Sequence, residues 1–134
     1  GLYKIIDDLK SIAESCVNIT NAIDRKRFNK YDFPEQIHNN VQLIFNMVNE
    51  SLDIMVTMMS HDEEMPLSMA QETEREINNY RDILKSDHLN NLERGIYNYN
   101  AGIIYNDIIS QCERIGDFAL DVDETYKTLL SSHG

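Results

Sequence analysis

Apolar residues recur at alternating steps of three and four along most of this chain. The first segment shows the pattern clearly, in Leu2, Ile5, Leu9, Ile12, Cys16, Ile19 and Ile23. This spacing places the apolar side chains on one face of an α-helix, where a partner helix can cover them. Only two Pro and five Gly occur among 134 residues, so long uninterrupted helices are expected. The chain is therefore predicted to be all-α.

Breaks in the spacing divide the chain into four predicted helices. The first covers residues 2–25, and Pro34 opens a second that runs to about Ser60. A third helix is capped at or beside Ser68 and ends before Gly95. The fourth has the longest apolar stripe: Ala101, Tyr105, Ile108, Cys112, Ile115, Ala119, Val122, Tyr126 and Leu129. Short loops between such helices predict one domain, residues 1–134, folded as an antiparallel four-helix up-down bundle.

The charge balance limits the classes of partner. The chain has 23 Asp and Glu against 12 Lys and Arg, a net charge of −11. Such a surface repels nucleic acid and anionic lipid, whereas metal cations or a basic protein surface would be attracted. No apolar run approaches the roughly 20 residues that cross a bilayer, and no export signal is evident, so no membrane insertion is predicted. Cys16 and Cys112 lie among apolar neighbours and are interpreted as reduced core residues.

The first and fourth helices share one pattern. A shift of 103 positions aligns Ile12 with Ile115 and Glu14 with Asp117. The same shift aligns Ala13 with Gly116, a small pair beside the apolar stripe. A minimal side chain there would let a neighbouring helix approach closely, which would explain a glycine in a helix interior. The two helices are therefore interpreted as copies of one design.

Three carboxylates form a row on the fourth helix. Glu113, Asp117 and Asp121, here called the acidic row, are spaced at i, i+4 and i+8, outside the apolar stripe. Like charges at this spacing repel by a few tenths of a kcal/mol per pair. A hard cation bridging the oxygens would relieve the repulsion. The alternative is a solvated face, partly neutralised by Arg114 and Lys127.

The sequence shows no catalytic pattern. There is no Gly-rich phosphate loop and no His pair at zinc-ligand spacing. One histidine occurs in each part of the chain, and each is interpreted as a surface or capping residue: His38, His61, His88 and His133. The acidic turn His61–Glu64 is interpreted as solvated, with a cation-binding loop as its alternative. The chain is predicted not to be an enzyme.

The string from Asp107 to Glu124 resembles the signature helix of PhoU domains, with Glu-Arg-Ile-Gly-Asp at residues 113–117 as its most recognisable core. Upstream, residues 76–84, His88 and Tyr105 are similar to the C-terminal PhoU-like region of bacterial sodium/phosphate cotransporters. The resemblance covers nearly the whole chain.

This resemblance implies a fragment of the PhoU double three-helix repeat. Residues 2–25 would be the last helix of a first repeat, and residues 33–131 a complete second repeat. Family members bind metal clusters at surface carboxylates, which the resemblance places on Glu113 and Asp117, with Asp121 as a third candidate. Iron, magnesium and calcium all suit oxygen ligands.

The resemblance also carries expectations for neighbouring positions. In the first copy Lys10 stands where Glu113 does, so Glu14 and Asn18 are expected to form a docking surface or a weak second site. Ile115 and Gly116 form the packing signature.

The function expected from the resemblance is regulation of phosphate uptake. The chain would be the cytoplasmic domain of a sodium/phosphate cotransporter, at the inner membrane. Its partners would be the transmembrane portion of the same protein or a phosphate-sensing protein, and apolar surface left on the first helix favours a homodimer. The alternatives are a stand-alone PhoU-type adaptor of phosphate signalling and an iron-binding helical bundle.

Overall fold

The computed structural model describes residues 1–61 and 65–133. It contains four helices: α1 (Leu2–Phe28), α2 (Glu35–His61), α3 (Leu67–Glu93) and α4 (Tyr99–His133). The all-α prediction and the four-helix bundle are confirmed. Most of the acidic turn after α2, residues 62–64, lies outside the described residues, as do the side chains of His61 and His133.

The fourth helix is the centre of the bundle. It packs against α1, α2 and α3, and α2 also packs against α3. Ion pairs join Arg25 to Asp107 at 3.0 Å and Lys4 to Asp121 at 3.7 Å, so α1 runs antiparallel to α4. Within the described residues α1 packs on α4 alone, and no Cα of α1 lies within 8 Å of a Cα of α2. The first helix is therefore attached along one side only.

The core is formed by the apolar stripes of all four helices. Its fully buried members are contributed mainly by α4, including Ile108, Ile109 and Cys112, with Ile44 from α2 and Ile77 from α3. A second, smaller cluster lies where the C-terminal end of α2 meets the start of α3, around Met58 and Ala70. No helix in the described part of the chain is long and apolar enough to cross a membrane.

Only part of the apolar stripe predicted for α1 is buried. Ile5 and Ile12 are buried, but Leu9 is 37% exposed and Cys16 is exposed, so the core prediction for Cys16 is wrong. The helix is rotated about its axis so that α4 covers a line of residues that includes polar Asp8 and Ser15. The prediction for Cys112 is confirmed, and burial raises the pKa of its thiol to about 12.

Two helices end in the same backbone motif. Gly95 follows α3 with φ of +67°, and its N–H and that of Ile96 bond back to carbonyls of the last turn. Lys30 takes the equivalent place after α1 with φ of +56°, and Tyr31 makes the second bond. The predicted cap at Ser68 is wrong: Pro66 holds the N-cap position of α3, with no side-chain cap bond among the described residues.

Gly116 is buried where α3 crosses α4. A Cβ added at this position would lie 3.1 Å from Cδ1 of Ile77. The absence of a side chain therefore lets α3 pack closely on α4, and Ile115 beside it is 2% exposed. Ala13, its counterpart in the first copy, is exposed, so the close approach expected there is absent from the described structure.

Candidate functional site

The acidic row lies on α4 in the furrow between α3 and α1. Glu113 and Asp121 are half-buried and Asp117 is exposed. The opposite side of the same helical turns carries the buried stripe, so a spacing of four keeps all three carboxylates at the surface. Each carboxylate meets a different neighbour, and these neighbours decide what the row can bind.

Glu113 forms an ion pair with Arg81 of α3. The Arg81 side chain is only 22% exposed, and its Nε also donates to Asp82 at 2.8 Å. Sequence reasoning missed Arg81, since it considered only cations near the row in the sequence. One of those, Arg114, lies over the ring of Phe118, with 5.5 Å between its Cζ and the ring centroid. The antiparallel packing of α3 on α4 is what brings Arg81 to Glu113.

Asp117 shares a proton-binding site with Glu74 of α3. Although the residue as a whole is exposed, partial burial of its carboxylate against α3 raises its pKa to about 7, with further increases from a hydrogen bond to Glu74 and from the Glu74 charge. Asn78 donates to the same Glu74 at 2.6 Å. Near neutral pH Asp117 therefore exchanges a proton with solvent.

Asp121 lies against the start of α1. The ammonium of Lys4 is 3.7 Å from Asp121 and 2.7 Å from Asp8. Its hydrogen bond to Asp8, followed by the charges of both carboxylates, raises the pKa of Lys4. The row is therefore flanked by one cation from α3 and one from α1.

The first-copy residues lie on α1. Glu14 is exposed on α1. Asn18 donates to Gln111 of α4 at 3.4 Å, and Gln111 is not part of the acidic row. The two residues remain a predicted docking surface or weak second site on α1.

The chemistry of the row suits a cation, but the protein supplies cations of its own. In the described part of the chain, no three His, Cys, Asp or Glu side chains are grouped so that they could hold a metal ion. A metal at Glu113 would have to displace Arg81, and one at Asp117 would have to displace a proton. If a metal ion bound to the row, the carboxylates of Glu113 and Asp117 would hold it. The metal site stays a prediction.

A buried polar cluster lies at the end of the bundle where α3 leads into α4. His88 is 8% exposed, so its interpretation as a surface residue is wrong. Its Nδ1 contacts the hydroxyl of Tyr97, and both rings lie edge-on to Tyr105 at 6.0 Å. Burial, followed by the charge of Lys85, lowers the pKa of His88. His38, in contrast, is exposed as predicted.

Asn40 of α2 extends this cluster across the bundle. It donates to the hydroxyl of Tyr105 and accepts from that of Tyr80, each at 3.3 Å. Burial raises the pKa of Tyr105 to about 12. The cluster therefore fixes the register of three helices through neutral hydrogen bonds.

No protein-family model, curated protein or solved structure matches this chain. The resemblance to PhoU domains therefore rests on the residues quoted above, led by Glu113 to Asp117.

Proposed function

We propose that this chain is a regulatory interaction domain that works through the acidic row on α4. One observation carries the proposal: three carboxylates follow one side of the central helix, where Glu113 and Asp121 each lie beside a cation from a neighbouring helix and Asp117 has a raised pKa. A cationic partner binds such a surface by displacing these cations and the proton of Asp117, without any covalent step.

The process that it regulates is inferred from the resemblance to PhoU domains. Phosphate uptake is that process, and the chain would be the cytoplasmic domain of a sodium/phosphate cotransporter. The partner would then be the transmembrane portion of that protein or a phosphate-sensing protein. A metal ion or a basic segment of the partner would engage Glu113 and Asp117, with Asp121 beside them.

Metal analysis and calorimetric titration test the row. Mg²⁺, Ca²⁺ and, without oxygen, Fe²⁺ are added to the wild-type chain and to Glu113→Ala/Asp117→Ala. We expect binding to disappear in the double variant and to strengthen from pH 6 to pH 8, because protons compete for Asp117 at lower pH. The free energy of unfolding of the variant at pH 8 should stay within about 1 kcal/mol of wild type, as is usual for surface positions.

The matched control is Glu72→Ala/Glu76→Ala, an exposed pair at the same spacing on α3. Equal loss of binding in both double variants would mean that net charge, rather than the row, attracts the cation. No binding of any of the three ions would leave a protein partner as the occupant of the row.

The link to phosphate is tested in cells that carry the complete reading frame. Uptake of labelled phosphate is measured with the wild-type sequence and with Glu113→Ala/Asp117→Ala. We expect the variant to change how uptake responds to external phosphate while the protein level stays constant. An unchanged response, with no transmembrane spans in the reading frame, would favour a stand-alone adaptor.

A further inference from the structure

The sides of α1 and α2 that face each other enclose a groove, here called the α1–α2 groove. Among the described residues no Cα of α1 lies within 8 Å of a Cα of α2, and α4 forms the floor of the groove through Ile108, Cys112 and Ile115. Two cavities of about 200 Å³ each open along it. This groove lies on the other side of α1 from the acidic row, so binding in the groove does not depend on the proposed function of the row.

The walls of the groove are apolar and incompletely covered. Ile19 and Ile23 on α1 and Phe45 and Leu52 on α2 line the cavities and are half-buried. The thiol-bearing Cys16, which is exposed, lies among them. Continuous apolar surface of this kind is typical of a binding groove.

The length of the groove fits one helix. The three-four helical spacing continues both walls beyond the two cavities. On α1 the wall runs from Arg27 back to Leu9. On α2 the wall runs from His38 to Val56, which is 54% exposed. At 1.5 Å per residue, each wall is roughly 27 Å long, about the length of an 18-residue helix.

The two ends of the groove differ in charge. One end of the groove is lined by Lys26, Arg27 and His38. Toward the other end, α2 carries Asp53, and residues 31–74 contain no Lys or Arg. A basic end is unexpected in a chain with a net charge of −11. Because a helix has partial negative charge at its C-terminus and partial positive charge at its N-terminus, this arrangement also selects a direction.

We propose that the α1–α2 groove binds an amphipathic helix of a partner protein, with carboxylates in its last turn. The helix runs parallel to α1, so that its C-terminal end meets Lys26 and Arg27. The α1 helix of a second copy does not fit this description, since its own last turn is basic and would face the same cations. The α1 helix of a second copy is therefore not the proposed occupant.

Two labelled peptides test the proposal with the 134-residue chain. Both are 18-residue helices of Leu, Ala and Gln with one leucine face; one has two Glu in its last turn, and the other has two Lys there. Fluorescence anisotropy should show at least tenfold tighter binding of the Glu peptide. Lys26→Glu/Arg27→Glu should reverse that preference, whereas Arg75→Glu/Arg114→Glu, two exposed positions outside the groove, should keep it.

The apolar wall is tested separately. Val56→Lys should weaken binding at least fivefold, whereas Ile83→Lys, at a position 56% exposed on α3, should leave it unchanged. Alkylation of Cys16 should slow at least fivefold when the Glu peptide is bound, and circular dichroism checks that each variant is folded.

Four results would overturn the proposal. Neither peptide binds, both peptides bind equally, or the bound Glu peptide leaves the alkylation of Cys16 unchanged. The fourth is a dimer, seen by sedimentation, that protects Cys16 without any peptide, because a second copy would then occupy the groove.

Discussion

Asp123 lies on the side of α4 that is turned away from solvent. The residue is 1% exposed, and its Oδ1 has no hydrogen-bond partner among the described residues. Burial, followed by the nearby charge of Glu124, raises the pKa of this carboxyl to about 7. Ionisation of such a group opposes folding, because the charge loses its hydration without a full set of partners.

This pKa predicts a pH-dependent mutational effect. The folded state binds the Asp123 proton more tightly than the unfolded state, so wild-type stability falls as pH rises from about 4 to about 7. Asp123→Asn lacks that loss, and its stability relative to wild type should increase by on the order of 2 kcal/mol from pH 4 to pH 8. Urea unfolding at both pH values measures it. Glu72→Gln, at an exposed position, should show no such increase.

The contact of Gly116 with Ile77 predicts a coupling between the two residues. A Cβ at Gly116 meets Cδ1 of Ile77 at 3.1 Å, and Ile77→Val removes that atom. Gly116→Ala should therefore be more favourable by about 0.5–1 kcal/mol in the Ile77→Val background than in wild type. A double-mutant cycle by chemical denaturation measures the difference. Additive effects would mean that α3 shifts to accept the methyl group.

Among the elements, the ends of α1 and α3 differ in the residue type that holds the left-handed backbone position. Both close with the same pair of backbone bonds, but Gly95 holds the left-handed position after α3 and Lys30 holds it after α1. A side chain raises the energy of that conformation, whereas glycine adopts it readily.

Lys30→Gly should therefore raise the free energy of unfolding by about 0.5–1 kcal/mol. Gly95→Ala, the reverse change at the matching position, should lower it by about 1 kcal/mol. Thermal unfolding of both variants is the measurement. A loss of stability in Lys30→Gly would mean that the lysine side chain makes contacts that outweigh the backbone strain.

At the scale of the whole molecule, α1 packs on one neighbouring helix and α4 on three. Among the described residues α1 packs on α4 alone and buries three apolar side chains, Ile5, Ile12 and Ala22, whereas α4 packs on α1, α2 and α3 and contributes the largest share of the buried apolar side chains. Local opening needs less free energy where fewer apolar contacts must be broken. Amide hydrogen exchange should therefore be faster in α1 than in α4, by at least tenfold at buried positions. Binding of the Glu peptide should slow exchange in α1, while equal protection of all four helices would contradict this account.

Local sequence properties were enough to predict the helices, their approximate ends and the position of the acidic row outside the core. These follow from local properties: three-four spacing, the few Gly and Pro, and the i, i+4 geometry of Glu113 and Asp117. Gly116 was also identifiable, because a glycine inside a helix needs a packing reason.

The choice of which helix faces meet became known from the packing of the four helices. The rotation of α1 on α4 exposed Cys16 and buried Asp8, although the apolar spacing of α1 favoured the opposite. Packing of α3 on α4 brought Arg81 to Glu113 and Glu74 to Asp117, from positions more than 30 residues away in the sequence. Helical spacing defines a face, but the partner of that face depends on the fit of side chains across all the helices at once, which local spacing does not contain.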